Sequence, residues 1–236
     1  MKIHRFIGQY NLKPGNFELK DAEILHQMFK VLSLKPGEKV VLCDGQGQEA
    51  VGTIAKLGPD KALLLLDKPT IVATEPKRQI VLYCAVLKRE NFDWVVQKAT
   101  EVGVTAIIPI ITQRTVKQNL NLERLLKIAK EAAEQSSRGK IPTVSQPIAW
   151  SAALELAQGN DVSLFFDIKA EATIMESIQG KNHIGIFIGP EGGWDPKEIQ
   201  AAKSHNFITS SLGLLTLRAE TAAIVASYLA CSAPFC

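Results

Sequence analysis

The residues best suited to chemistry gather in two short stretches, His183–Asp195 (HIGIFIGPEGGWD) and Leu212–Ala223 (LGLLTLRAETAA). In the first, Gly189, Pro190, Glu191, Gly192 and Gly193 follow the apolar run Ile184–Ile188. Three glycines around a proline permit backbone angles and close approaches that a Cβ blocks. In the second, Arg218 and Glu220 stand in the opening turn of an otherwise small and apolar helix. A half-buried charged pair there is costly unless it is used or satisfied. A guanidinium in such a place can stabilise developing negative charge, and a carboxylate can accept a proton or orient a group. Neither stretch is a nucleotide phosphate loop: Gly-x-x-x-x-Gly-Lys-Ser/Thr is absent, and no Gly-x-Gly-x-x-Gly follows an expected strand.

The elements that must position these residues read as an α/β chain in two parts. From Gln79 onward, expected strands (80–87, 105–111, 162–166, 184–188 and a short one near 207–211) alternate with expected helices (92–102, 122–133, 150–157, 170–178, 196–204 and 218–231). Such alternation implies a mainly parallel sheet covered on both faces. Asp195 caps the helix that follows the glycine loop, with Pro196 at its first position and Glu198 completing a capping box. Ligands of open α/β sheets bind beyond the carboxyl ends of strands, which is where both glycine-bearing loops fall.

Residues 1–72 read differently, as short strands (3–7, 39–43, 50–57 and 62–66) with one helix. That helix is capped by Asp21, with Ile24, Leu25, Met28, Val31 and Leu32 on one face and His26 partly buried beside them. Asp44-Gly45-Gln46-Gly47 marks a turn, and Pro69–Pro76 reads as a linker. A small β-barrel domain (1–72) followed by an α/β domain (73–236) is therefore expected.

Composition is that of a globular protein, 46% hydrophobic and 22% charged, with no apolar run near the roughly 20 residues of a membrane-spanning helix. The opening residues lack the apolar core of a signal peptide, and Cys43, Cys84, Cys231 and Cys236 have no metal or disulfide spacing. A cytoplasmic protein without metal is expected. Charge is unevenly spread. Residues 76–142 hold 12 Lys/Arg against 6 Asp/Glu, while residues 143–236 hold 5 against 9. A basic middle beside an acidic end suits either a polyanion footprint or a solvated helix surface.

A strand ending in Gly-Pro-Glu-Gly-Gly, followed by Leu-Gly and then Leu-Arg-x-Glu-Thr-Ala, resembles the RsmE family of ribosomal-RNA uridine methyltransferases in the SPOUT superfamily. The resemblance extends to His4-Arg5-Phe6, His26, Val31-Leu32, Asp44-Gly45, Gln97–Val104, Pro109, Arg114 and Glu131–Ser136 with Arg138. It implies an N-terminal PUA-like barrel and a C-terminal trefoil-knotted methyltransferase domain acting as a homodimer. The implied reaction is transfer of a methyl group from S-adenosylmethionine to ring nitrogen 3 of a uridine in 16S ribosomal RNA. Carried onto this chain, the cofactor loops are Ile188, Gly189, Pro190, Glu191, Gly192 and Gly193, then Ser211, Leu212, Gly213, Leu215 and Leu217 with Arg218, Ala219, Thr221 and Ala222. Arg218 and Glu220 take the catalytic places. Arg5, Arg114 and Arg138 take RNA contacts, Arg138 from a helical face shared with Glu131 and Gln135. Some positions depart from the family: Ser33 stands where an arginine is usual, Leu215 where a basic residue is common, and Arg89 and Asn91 at the glycine and basic positions before the first long helix. A knotted ribose 2′-O-methyltransferase and a non-catalytic RNA-binding module are the alternatives.

Overall fold

The computed structural model describes residues 3–88, 90–116, 119–168, 170 and 177–234. Lys117, the expected helix 170–178 for most of its length, and Cys236 lie outside them. The chain divides into two compact units, residues 1–75 with 133–141, and residues 76–132 with 142–236.

The first unit is a mixed sheet built from β1 (His4–Ile7), β2 (Gly15–Leu19), β3 (Lys39–Cys43), β4 (Gln48–Leu57), β5 (Ala62–Leu66) and β6 (Thr70–Ile71). The strands run in the order β1-β3-β4-β5-β2, with β6 paired to β4. Leu42, Ile54, Leu64 and Leu66 alternate inward and pack with Phe6, Ile24, Leu25 and Met28 into one core. The helix α1 (Ala22–His26) starts as its sequence requires, with Asp21 Oδ1 accepting from the amides of Glu23 and Ile24. It then widens into a π-helical turn, Gln27–Val31. That turn rotates the face away from the expected helical period. Val31 is left 66% exposed, and His26 is exposed rather than partly buried. Two strands of this unit escaped the sequence reading. β2 offers only Phe17 and Leu19 as inward apolar residues, and β6 lies in the expected linker.

The segment 133–141 closes this unit. Glu75 Oε1 accepts from the amides of Gly139 (2.8 Å) and Lys140 (2.9 Å), and its Oε2 meets Arg138 Nη2 at 3.2 Å. Ala133 and Ile141 pack with Ile7, Val41 and Cys43, and Glu134 accepts from the amide of Ile7 at 2.8 Å.

The second unit is a parallel sheet in the order β10-β8-β7-β12-β11-β13, with β9 (Thr143–Val144) beside β8. Its strands are β7 (Gln79–Ala85), β8 (Ala106–Ile111), β10 (Ile148–Ala149), β11 (Val162–Phe166), β12 (His183–Ile188) and β13 (Ile208–Ser210). Every pairing among them is parallel, as the alternating pattern predicts. The helices are α2 (Asn91–Val102), α3 (Leu122–Gln135), α4 (Trp150–Leu156), α5 (Pro196–Ser204) and α6 (Ala219–Ser232). β12 sits mid-sheet between β7 and β11, and its residues 184–188 are all buried, which is why its sequence is a continuous apolar run. Phe187 stacks on Tyr83 of β7 with ring centroids 4.2 Å apart, and Phe165 and Trp194 stack at 4.4 Å. These aromatic contacts hold the carboxyl half of the sheet, where the site lies.

Candidate active site

Three neighbouring strands, β12, β11 and β13, end at one rim, and the chain beyond each of them borders a single cavity of about 600 Å³. The loop after β12 contributes Ile188, Gly189, Pro190, Glu191, Gly193 and Trp194. The loop after β13 contributes Ser211, Leu212, Gly213, Leu215, Thr216 and Leu217, and α6 adds Arg218, Ala219, Glu220 and Ala222. The two glycine-bearing loops therefore face one space. Of the expected cofactor residues, Gly192 and Thr221 do not border it. Gly192 turns its carbonyl to Arg114, and Thr221 is exposed.

Glycine is required here by geometry. Gly193 and Gly213 hold φ of +70° and +112°, a region that side chains with a Cβ rarely enter. At Gly189 an added Cβ would come within 2.9 Å of the Trp194 ring. Trp194 is 7% exposed, and its indole N–H donates to the Phe166 carbonyl at 2.9 Å. One side chain thus ties the end of β11 to the loop after β12. The second loop holds itself: Ser211 Oγ accepts from the Gly213 amide and donates to the Gly213 carbonyl, both at 3.2 Å. Glu191 Oε1 accepts from the Lys88 amide at 3.0 Å, fastening the glycine loop to the chain that follows β7.

Arg218 and Glu220 do not form the buried pair expected. The Arg218 side chain is 86% exposed and reaches Glu220 only at 4.0 Å, whereas the Glu220 side chain is 15% exposed. Arg218 caps α6 in an extended backbone conformation, which aims its long side chain outward from the first turn. Glu220 Oε2 is buried with no hydrogen-bond partner among the described residues, and the hydroxyl of cavity-lining Ser210 is in the same state. A buried polar atom without a partner is costly, and both are placed to hydrogen-bond a group that enters the cavity. Below them lies the fully buried thiol of Cys84. Burial pushes its pKa upward, and the charges of Glu191 and Glu220 push it further.

The cavity also takes Phe166, Asp167 and Ile168 beyond β11, and Asn91 at the start of α2, none of which the sequence reading singled out. The available signal was the parallel sheet itself: a strand beside β12 must end at the same rim.

The three arginines expected to touch RNA fare differently. Arg138 does not lie on the helical face expected of it. α3 ends at Gln135, so residue 138 leaves the helical face, and its side chain is 4% exposed against Glu75. Arg5 points into a cluster, donating to Glu49 and to the Cys43 sulfur, with a side chain 13% exposed. Burial outweighs the neighbouring guanidinium and raises that thiol to about 11. Arg114 is 46% exposed and donates to the Gly192 carbonyl at 2.8 Å.

Comparison with known proteins bears on the same residues. A family described as an RNA methyltransferase domain matches residues 74–230, and one described as an RNA methyltransferase PUA domain matches residues 19–67. Ribosomal RNA small subunit methyltransferase E of Rickettsia conorii is 32% identical over 232 residues, covering 96% of this chain and 94% of its own length. The Bacillus subtilis protein of the same name is 29% identical over 219 residues, covering 87% of this chain and 86% of its own. A crystal structure of ribosomal RNA small subunit methyltransferase E from Neisseria gonorrhoeae bound to S-adenosyl methionine superposes with a TM-score of 0.90 at 29% identity, covering 96% of this chain and 95% of that one. With the first family matching more than half of the chain and a relative above 30% identity over nearly both lengths, the chain belongs to the ribosomal RNA small subunit methyltransferase E family.

Proposed function

We propose that this protein transfers the methyl group of S-adenosylmethionine to ring nitrogen 3 of a uridine in 16S ribosomal RNA. The observation that carries this reading is the single cavity shared by two glycine-bearing loops, with an unpartnered carboxylate oxygen of Glu220 inside it. A space of about 600 Å³ lies within the range of small-molecule sites, and its lining of Ile188, Leu212, Leu217 and main chain suits a flat adenine edge. When bound, S-adenosylmethionine supplies an already activated methyl group, so the protein's share is alignment and electrostatics.

Gly189, Gly193 and Gly213 let main chain lie against the donor. Glu220 accepts the proton that leaves uracil N3 as the methyl arrives, and its buried, unpartnered oxygen keeps that acceptor free of water. Arg218, unburdened by a close ion pair, swings over the rim to balance the charge that develops on the uracil ring oxygens. Glu191 serves the loop through its bond to the Lys88 amide. On the RNA side, Arg114 offers an exposed guanidinium edge, and Arg5 requires release from Glu49 before it can meet a phosphate.

The same reading carries the trefoil knot of the superfamily, a cytoplasmic location with the RNA substrate, and a homodimer. Leu214 and Leu215 stand 105% and 81% exposed in the second loop, and Trp94 of α2 and Tyr228 of α6 are each 57% exposed. Apolar side chains so displayed beside a catalytic cavity suit a second copy of the chain as their cover.

Mass mapping of methyl marks on 16S ribosomal RNA from cells lacking the protein tests the reaction. Loss of one N3-methyluridine, restored by the purified protein with S-adenosylmethionine, is expected. A lost mark on a ribose, or no lost mark, overturns the assignment.

A further inference from the structure

Arg114 stands outside the cavity yet holds its wall. Its Nη1 donates to the Gly192 carbonyl at 2.8 Å, and its Nη2 lies 4.0 Å from Asp195 Oδ2, the cap of α5. One guanidinium therefore grips the glycine loop by the middle of its main chain and faces the point where that loop ends. Gly192 does not border the cavity, but Glu191 and Gly193 on either side of it do. A shift of the Gly192 carbonyl must move both.

The seat beneath Arg114 is stiff. Thr112 and Thr115 close a tight turn around it: the Thr112 amide donates to Thr115 Oγ1 at 3.0 Å, the Thr115 amide to the Thr112 carbonyl at 3.2 Å, and the two hydroxyls lie 2.9 Å apart. Between them the Gln113 amide donates to Glu198 Oε1 at 2.8 Å, while Glu198 Oε2 accepts from the Asp195 amide, also at 2.8 Å. Glu198 is 5% exposed, so this carboxylate is a buried rivet joining the turn after β8 to the end of the glycine loop. The Arg114 side chain thus rises from a fixed backbone, anchored at its far end by the Gly192 carbonyl.

That side chain is 46% exposed. A guanidinium has five N–H donors in a rigid fork, and the contacts to Gly192 and Asp195 occupy its inner edge. The outer edge remains for an anion. We infer that Arg114 is a positioning residue that couples RNA engagement to the donor site. A backbone phosphate on the outer edge fixes the fork, strengthens its hold on the Gly192 carbonyl, and lowers the cost of ordering the loop around the donor. The coupling is reciprocal, so a bound donor or product also tightens RNA. This inference rests on the methyl-transfer reading given above.

The test measures binding of S-adenosylhomocysteine by calorimetry, with and without small ribosomal subunits purified from cells lacking the protein. It compares the wild type with Arg114→Lys and Arg114→Gln. In the wild type, subunits tighten the ligand on the order of fivefold or more, the lower end of ordinary coupling. Arg114→Lys keeps a cation for the phosphate but has no fork to serve two partners at once. It is expected to retain most of its subunit affinity while the coupling falls to nearly one. Arg114→Gln loses the coupling and also binds subunits more weakly. If both variants couple as strongly as the wild type, or if the wild type binds both partners without coupling, the inference is overturned. Failure of the wild type to bind S-adenosylhomocysteine or subunits at all would instead sink the methyl-transfer reading. Unfolding midpoints of all three proteins, expected within a few degrees of one another, separate lost coupling from a lost fold.

Discussion

Glu220 and Arg218 are two residues apart, yet burial separates their roles. The carboxylate sits in the cavity with one oxygen unpartnered, and the guanidinium stands in solvent at the rim. Removing a donor aimed at developing charge costs about 10²- to 10³-fold in turnover. Arg218→Ala is therefore expected to lower single-turnover methylation by about that factor, while S-adenosylmethionine affinity, read by calorimetry, changes only a few-fold. Retained activity would remove Arg218 from the mechanism. Gly189→Ala acts differently: its new Cβ meets the Trp194 ring, so donor affinity should fall with little change in the rate once the site is saturated. The types and spacing of the loop residues announced a site. They did not announce which member was buried, because burial depends on where neighbouring strands end. Arg138 shows the same limit. Its i, i+7 spacing to Glu131 suggested a shared surface, but the helix stops at Gln135 and the side chain turns inward to Glu75.

At the scale of elements, the site depends on where the helix after the glycine loop begins. Asp195 accepts from the Lys197 amide, and Glu198 returns the bond to the Asp195 amide, so α5 starts at Pro196 and nowhere else. Asp195→Ala should lower stability by about 1 kcal/mol through the lost cap, measurable by urea unfolding. Donor affinity should fall further than that figure implies, since the glycine loop loses its fixed end. An unchanged donor affinity would show that the loop is held from elsewhere. β11 and α5 were legible to the residue and β12 to within one, because a continuous apolar run and a capping box each have few other readings. α1 was legible only at its start. The π-turn that follows it adds a residue to one turn, and no helical period anticipates that.

At the scale of the molecule, the amino-terminal end of the parallel sheet offers a pH-dependent fastening far from the chemistry. Asp161 Oδ2 accepts from the amides of Asn182 and His183 at 2.8 and 2.9 Å, and these bonds hold its pKa below the ordinary carboxylate value. A pKa lower in the folded state stabilises above the unfolded value, and that contribution is lost as pH falls through the folded one. Asp161→Asn should therefore lower the unfolding midpoint at neutral pH, with the gap to wild type closing below the carboxylate range. A gap independent of pH would refute the assignment. The proposed homodimer is tested by Tyr228→Glu, which places a charge on an exposed apolar position of α6. Sedimentation should show a shift toward the monomer, and an unchanged sedimentation coefficient would move the interface off that face.

The hold of Glu75 on residues 138–140 has a practical consequence. The first sheet borrows its last piece from a stretch that the chain reaches only after nearly sixty further residues. A gene fragment stopped at Glu75 would leave that carboxylate without its donors and would strip Ile7, Val41 and Cys43 of their cover. On the ribosome, too, this part of the protein stays unfinished until the later stretch emerges. A cut just after Glu75 thus parts this sheet from the segment that completes it. A fragment meant to carry the amino-terminal fold alone needs residues 133–141 grafted back onto it.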